Sequence, residues 1–145
     1  MGALFFFSCG KNNKERTAKA PAPKKVEEQV VDPVLKKGAT LYKSFCMACH
    51  MGNGKGAPGM NPPLTKNKFT SGDKAKFIEI VILGMDEEIE IDGIPYTNAM
   101  TPFGFLTDEE IASVVTYVRR SFGNDSDAAT IEEVAAVRAS LPVSE

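Results

Sequence analysis

Apolar residues recur at helical spacing early in the chain, at Leu35, Leu41, Tyr42, Phe45 and Cys49. Asp32-Pro33 stands in front of them, a capping side chain followed by a proline whose missing N–H falls where a helix has no use for it. The pattern predicts a helix from about Pro33 into the segment Cys46 to His50. "GNGKGAPGMNPPL" follows and is too rich in Gly and Pro for a regular element. Asp73 opens a second helix with Phe77, Ile78, Val81 and Ile82 on its apolar face and Gly84 as its stop. In "EIEIDGIPY" the alternation of Glu88, Ile89, Glu90 and Ile91 around Asp92-Gly93 predicts a small hairpin with its carboxylates in water. Thr107 and Glu110 make a capping box for a helix carrying Ile111, Val114, Val115, Tyr117, Val118 and Phe122 and stopping at Gly123. Thr130 and Glu133 make a second box for a short last helix ending near Ser140. The fold class is therefore all-α, about four helices and one hairpin. A domain so poor in regular structure gains from something large and apolar at its centre.

Residues ahead of Asp32 follow no such period. "MGALFFFSCG" is an apolar run ending in Ser8-Cys9-Gly10, and "KNNKERTAKAPAPKKVEEQ" has the composition of a linker that cannot bury a core. The run is too short to span a bilayer. It lacks the basic n-region of a complete secretory signal, and Phe6 breaks the myristoylation pattern. It is similar to the end of a bacterial lipoprotein signal, in which a cysteine after small and apolar residues is cleaved and lipidated. Phe7, two before Cys9, is larger than usual there, and the missing n-region points to a translation start upstream. The organisation expected is a signal remnant over 1–9, a flexible linker over 10–31 and a folded domain over 32–145 with a short extra C-terminal helix. With Cys9 lipidated, that linker becomes a membrane leash with a reach of about 25 Å.

Charge follows the same division. The 145 residues carry a formal net charge of −2. Residues 1–37 hold eight Lys/Arg against four Asp/Glu, and residues 38–145 hold nine against fifteen. No basic stripe with interleaved aromatics appears in the second part, so nucleic acid is not an expected partner. The acidic run Asp86, Glu87, Glu88, Glu90, Asp92 lacks EF-hand spacing and reads as a solvated hairpin face.

The chemistry is concentrated in "SFCMACHMGNGKG", which holds Cys46, Cys49 and the single histidine, His50. Structural zinc needs four ligands, and no second Cys pair or further His supplies the fourth. A redox dithiol wants its Cys-x-x-Cys at a helix start in a βαβ setting, whereas this pair closes a helix. Cys-x-x-Cys-His is the signature of covalent haem attachment. Two cysteines three apart on a helical turn can form thioethers, and the following histidine supplies an axial nitrogen. One haem c is the expected cofactor. With no second histidine, the second axial ligand is sought among the methionines. Met47 and Met51 flank the attachment site and cannot reach the far face. Met60 lies in the loop expected on the proximal side, and Met85 reads as core or loop filler. Met100, fifty residues past His50 in "YTNAMTPFGFLTDEE", is the candidate.

From Asp32 to Asn124 these motifs, in this order, resemble class I cytochrome c. The likeness rests on Cys46-Met47-Ala48-Cys49-His50, on Gly59-Met60-Asn61-Pro62-Pro63-Leu64, and on Met100 ahead of Pro102-Phe103-Gly104. It implies a fold of about four helices around a covalent haem, with His50 and Met100 as iron ligands. It also implies that the Pro62 carbonyl accepts from the other ring nitrogen of His50. Gly38 and Tyr42 are similar to the family's first-helix pair, which cross the last helix at an aliphatic and an aromatic, here Val114 and Tyr117. "IDGIPYTNAMTPFG" and "TIEEVAAVRASLP" further resemble domains that serve bacterial copper nitrite reductases.

The resemblance implies a single-electron carrier in a bacterial respiratory chain rather than an enzyme. Its implied partners are a quinol-oxidising donor and a terminal oxidase or nitrite reductase as acceptor. Its implied location is the periplasmic side of the envelope, with Cys9 as the lipid attachment point. The alternatives are a haem subunit of a reductase or oxidase, and a haem peroxidase or gas sensor. The latter wants distal acid-base groups, and His50 leaves no second histidine.

Overall fold

The computed structural model describes residues 2 and 32–142, so Cys9, the signal-like run and the linker lie outside the described residues. Asp32 caps the first helix, α1 (Pro33–Leu41), its carboxylate accepting from the Val34 N–H at 2.9 Å. The chain then winds through a π-helical turn, Tyr42–Cys46, before a last short helical stretch, α2 (Met47–His50). A regular helix into the cysteine pair was the expectation. The wider turn inserts a residue, and such insertions recur where side chains must be aimed at a functional site.

Next come α3 (Lys74–Leu83), the hairpin strands β1 (Ile89–Ile91) and β2 (Ile94–Tyr96), α4 (Asp108–Arg119) and α5 (Ile131–Ser140). With α1, the π turn and α2 counted as one bent helix, four helices and a two-stranded hairpin make up the regular structure of the described residues. In the hairpin Ile89 faces Tyr96 and Ile91 faces Ile94. Asp92 and Gly93 both take positive φ, 52° and 77°, the two left-handed residues that a tight twisted hairpin needs. Ile91 and Tyr96 are buried, and Glu88 and Glu90 are exposed.

The core lies where α1, α3 and α5 converge on α4, around fully buried Ile78, Ile111, Val115 and Val134. Gly38 of α1 is the point of closest approach to α4. A methyl group there would run into the Ser113 carbonyl and the Cβ of Tyr117, so only glycine lets the backbones cross. The atoms nearest that methyl group belong to Ser113 and Tyr117. Positions four apart share a helix face, and Val114, one step round, turns to a cavity on the other side.

Thr107 and Thr130 each form a complete capping box, with Glu110 and Glu133. The expected stop of α4 at Gly123 is too late: the helix ends at Arg119. Phe122 takes a φ of 56° instead, which swings its ring against Tyr42 and Tyr117 at centroid distances of 5.1 and 5.7 Å. No helix among the described residues is long and apolar enough to cross a membrane.

Candidate haem site

Between the π turn, the 61–70 loop, α3, the hairpin and α4 lies an open-mouthed cavity. Its walls are mainly apolar, with Phe77, Ile80, Val81, Val115 and Val118 prominent. Cys46, Cys49, His50, Pro62 and Met100 all border it, so the residues singled out by motif within 32–142 meet around one space. Met60, by contrast, is exposed and does not line it.

The end of the bent helix orients the first group. Cys46 is half-buried and Cys49 exposed, and the two are not joined as a disulfide. Burial, and secondarily the neighbouring Cys49, pushes the Cys46 thiol up to about 11. That is opposite to the low pKa of a dithiol catalyst. His50 is 7% exposed, and its Nδ1–H donates to the Pro62 carbonyl at 2.9 Å. A carbonyl can only accept, so the proton sits on Nδ1 and Nε2 keeps its lone pair. Burial holds the His50 pKa below its ordinary value, the Pro62 bond opposing the shift. The ring is therefore neutral, as a metal-binding imidazole must be.

Neighbouring backbone keeps that ring in place. The Tyr42 hydroxyl donates to the Met51 carbonyl at 2.6 Å, pinning the residue after His50 at a φ of 64°. Gly56, at φ 60°, lies so close to the Pro62 carbonyl that a side chain there would displace it.

Met100 reaches the cavity from the segment after the hairpin. Its N–H donates to the Met85 carbonyl at 2.6 Å, and the Met85 N–H donates back at 3.1 Å. Met85 borders the same cavity. Gly84, at φ 73°, allows this approach, because a side chain there would strike the Met100 carbonyl.

Sequence reasoning missed the polar supports. Asn124 is 6% exposed, and its amide donates to the Leu64 and Val118 carbonyls, both at 2.8 Å. Buried Arg119 donates from Nη1 to the Thr70 carbonyl at 3.1 Å and from Nε to the Asp127 carbonyl at 2.9 Å. Asn67 donates to the Pro63 and Thr65 carbonyls. Together they hold the cavity-lining 62–72 loop. An Arg in the last turn of a helix, or an Asn just beyond it, is ordinary surface chemistry in sequence, and nothing local marks either as buried.

These residues fit a covalently held haem. The cavity is large and apolar, two thiols stand at its rim, and a neutral imidazole has one nitrogen tied back and the other free of hydrogen bonds among the described residues. Residues 35–121 match the family model described as Cytochrome c. Cytochrome c-552 of Thermus thermophilus is 33% identical over 111 residues, covering 70% of this chain and 84% of the relative. The fructose dehydrogenase cytochrome subunit of Gluconobacter japonicus is 33% identical over 109 residues, covering 70% of this chain but 22% of that subunit. The cytochrome c subunit of the quinone-type alcohol dehydrogenase of Gluconobacter oxydans is 32% identical over 90 residues, 19% of its own length.

Proposed function

The chain belongs to the cytochrome c family, and from that premise we propose a monohaem respiratory electron carrier in which His50 and Met100 would hold the haem iron. The observation that carries the reading is the hydrogen bond from His50 Nδ1 to the Pro62 carbonyl, inside an apolar cavity that Met100 also borders. When bound, the haem supplies a one-electron couple between Fe(III) and Fe(II). Cys46 and Cys49 hold it covalently, and the Pro62 carbonyl fixes the His50 tautomer and raises its basicity. Met100 supplies a soft sulfur that favours the reduced state, and the apolar walls disfavour the extra positive charge of the oxidised one. His50 and Met100 would hold the group in either oxidation state, so little rearrangement of this chain would accompany transfer. Partners need only a small, transient contact.

Partners on this reading are a quinol-oxidising donor and a terminal oxidase or nitrite reductase as acceptor, on the periplasmic side of a bacterial envelope. Cys9 carries the lipid that holds the domain at the membrane through the 10–31 linker. A second reading is supported by the relatives that are cytochrome subunits of dehydrogenases: the domain is a subunit of a larger oxidoreductase.

The protein made with haem-attachment machinery is expected to keep its haem through a denaturing gel. It is also expected to show a far-red sulfur-to-iron band in the ferric state that Met100→Ala abolishes. A colourless product, or a band indifferent to Met100, overturns the reading. Fatty-acid labelling with a Cys9→Ser control tests the anchor, and unchanged labelling excludes it.

A further inference from the structure

The segment that carries Met100 into α4 is held from two sides. On one side Met100 is paired with Met85, and the Phe103 N–H donates to the Val81 carbonyl at 3.0 Å, which ties the segment to α3. On the other side a single side chain of α5 spans it. Arg138 donates from Nη1 to the Gly104 carbonyl at 2.8 Å and from Nη2 to the Leu106 carbonyl at 2.9 Å. Its Nε meets the Asp108 carboxylate at 2.8 Å. All three guanidinium nitrogens are committed to three alternate residues, Gly104, Leu106 and Asp108, and the planar fork leaves their relative positions little freedom.

We infer that Arg138 is a positioning residue for the axial methionine: α5 acts through it as a strap that keeps the Met100 segment closed. This inference rests on the reading of Met100 as iron ligand. Residues 35–121 match the family model, so α5 at Ile131–Ser140 and its strap lie outside the segment that the family defines. Arg138 does not merely attach α5, because the helix has independent anchors at its other end. Lys74 pairs with Glu133 at 2.6 Å and donates to the Ala128 carbonyl at 2.8 Å. The Ala129 N–H donates to the Thr116 hydroxyl at 3.0 Å. Removing Arg138 frees the Gly104 and Leu106 carbonyls, which water can take up because the Arg138 side chain is 34% exposed. The fold then survives while the 101–106 stretch samples more conformations, and Met100, the residue just ahead of that stretch, leaves the iron more often.

The test is the rate at which imidazole displaces the sulfur ligand from the ferric holoprotein, followed at the far-red band. Arg138→Ala is expected to raise that rate about tenfold, equivalent to about 1.4 kcal/mol. It is also expected to move loss of the band with rising pH to lower pH. Arg138→Lys keeps the charge without the fork and should fall between the two, and it serves if the alanine variant folds poorly. Lys74→Ala loosens the other end of α5 and should lower the melting temperature without changing the exchange rate. An Arg138→Ala rate within about twofold of wild type, or equal acceleration in Lys74→Ala, overturns the inference. A wild-type protein without the far-red band, or one whose band survives Met100→Ala, instead removes the ligand reading beneath it.

Discussion

Met85 and Met100 exchange both backbone hydrogen bonds across the mouth of α3, at 2.6 and 3.1 Å, and both border the apolar cavity. Two thioethers so close raise the question of which one meets the iron. Met85 follows directly on Gly84 at the helix end, whereas Met100 lies in a longer irregular segment that can be aimed. Met100→Ala is therefore expected to lose the far-red band and lower the potential. Met85→Leu should keep the band and cost under about 1.5 kcal/mol of stability, as a volume-conserving exchange. Spectra and thermal melts of the two ferric variants separate the roles.

The second expectation concerns the bond from His50 to Pro62. At Gly56, with a φ of 60°, an added methyl group would run into the Asn61 and Pro62 carbonyls. Gly56→Ala forces the Pro62 carbonyl away and adds about 1–2 kcal/mol of left-handed backbone strain. A weaker acceptor leaves the imidazole less basic, so the potential should rise as the melting temperature falls. A potential that stays put while stability drops would show that the carbonyl does not tune the iron.

A third expectation tests the α1–α4 crossing. Gly38→Ala places a methyl group against the Ser113 carbonyl and Tyr117 Cβ, and a backbone carbonyl cannot rotate aside. Overpacking of this kind costs about 1–3 kcal/mol. Denaturant unfolding should show that loss with an unchanged m-value, since the fold itself is kept.

The two capping boxes set an acid limit. Glu110 is held below the ordinary glutamate range by the Thr107 N–H first and its hydroxyl second. Glu133 is held below it by its bond from Lys74 and then by the Thr130 N–H. A depressed native pKa means that the contribution is complete above the unfolded value of about 4.3 and fades as pH falls through the native one. The melting-temperature gap between wild type and Glu110→Ala should be widest near neutrality and close in acid. A gap independent of pH would mean that the carboxylate's charge plays no part.

Arg138 supplies a fifth expectation, through ligand exchange, and it also marks the limit of sequence reading. The capping boxes, the Asp92-Gly93 turn and the Cys46–His50 motif were legible because each is local. Their partners sit within a few residues, so spacing alone defines the geometry. The end of α4 was misjudged for the opposite reason. Phe122 fits the helical period, and it packs in a left-handed turn against Tyr117 and against the ring of Tyr42, which is distant in sequence.

Most of the elements, the attachment motif and the candidates His50 and Met100 were legible from the chain alone, because helix periods, caps and thioether spacing are short-range physics. Tertiary structure decided the rest. It set which α4 residues Gly38 meets, and it brought Met85 beside Met100. It buried Arg119 and Asn124 behind the cavity wall and closed the Arg138 fork on Gly104 and Leu106. Those contacts join residues from 6 to 60 positions apart, and carbonyl acceptors carry no side-chain identity. No residue type in the chain announces where they fall.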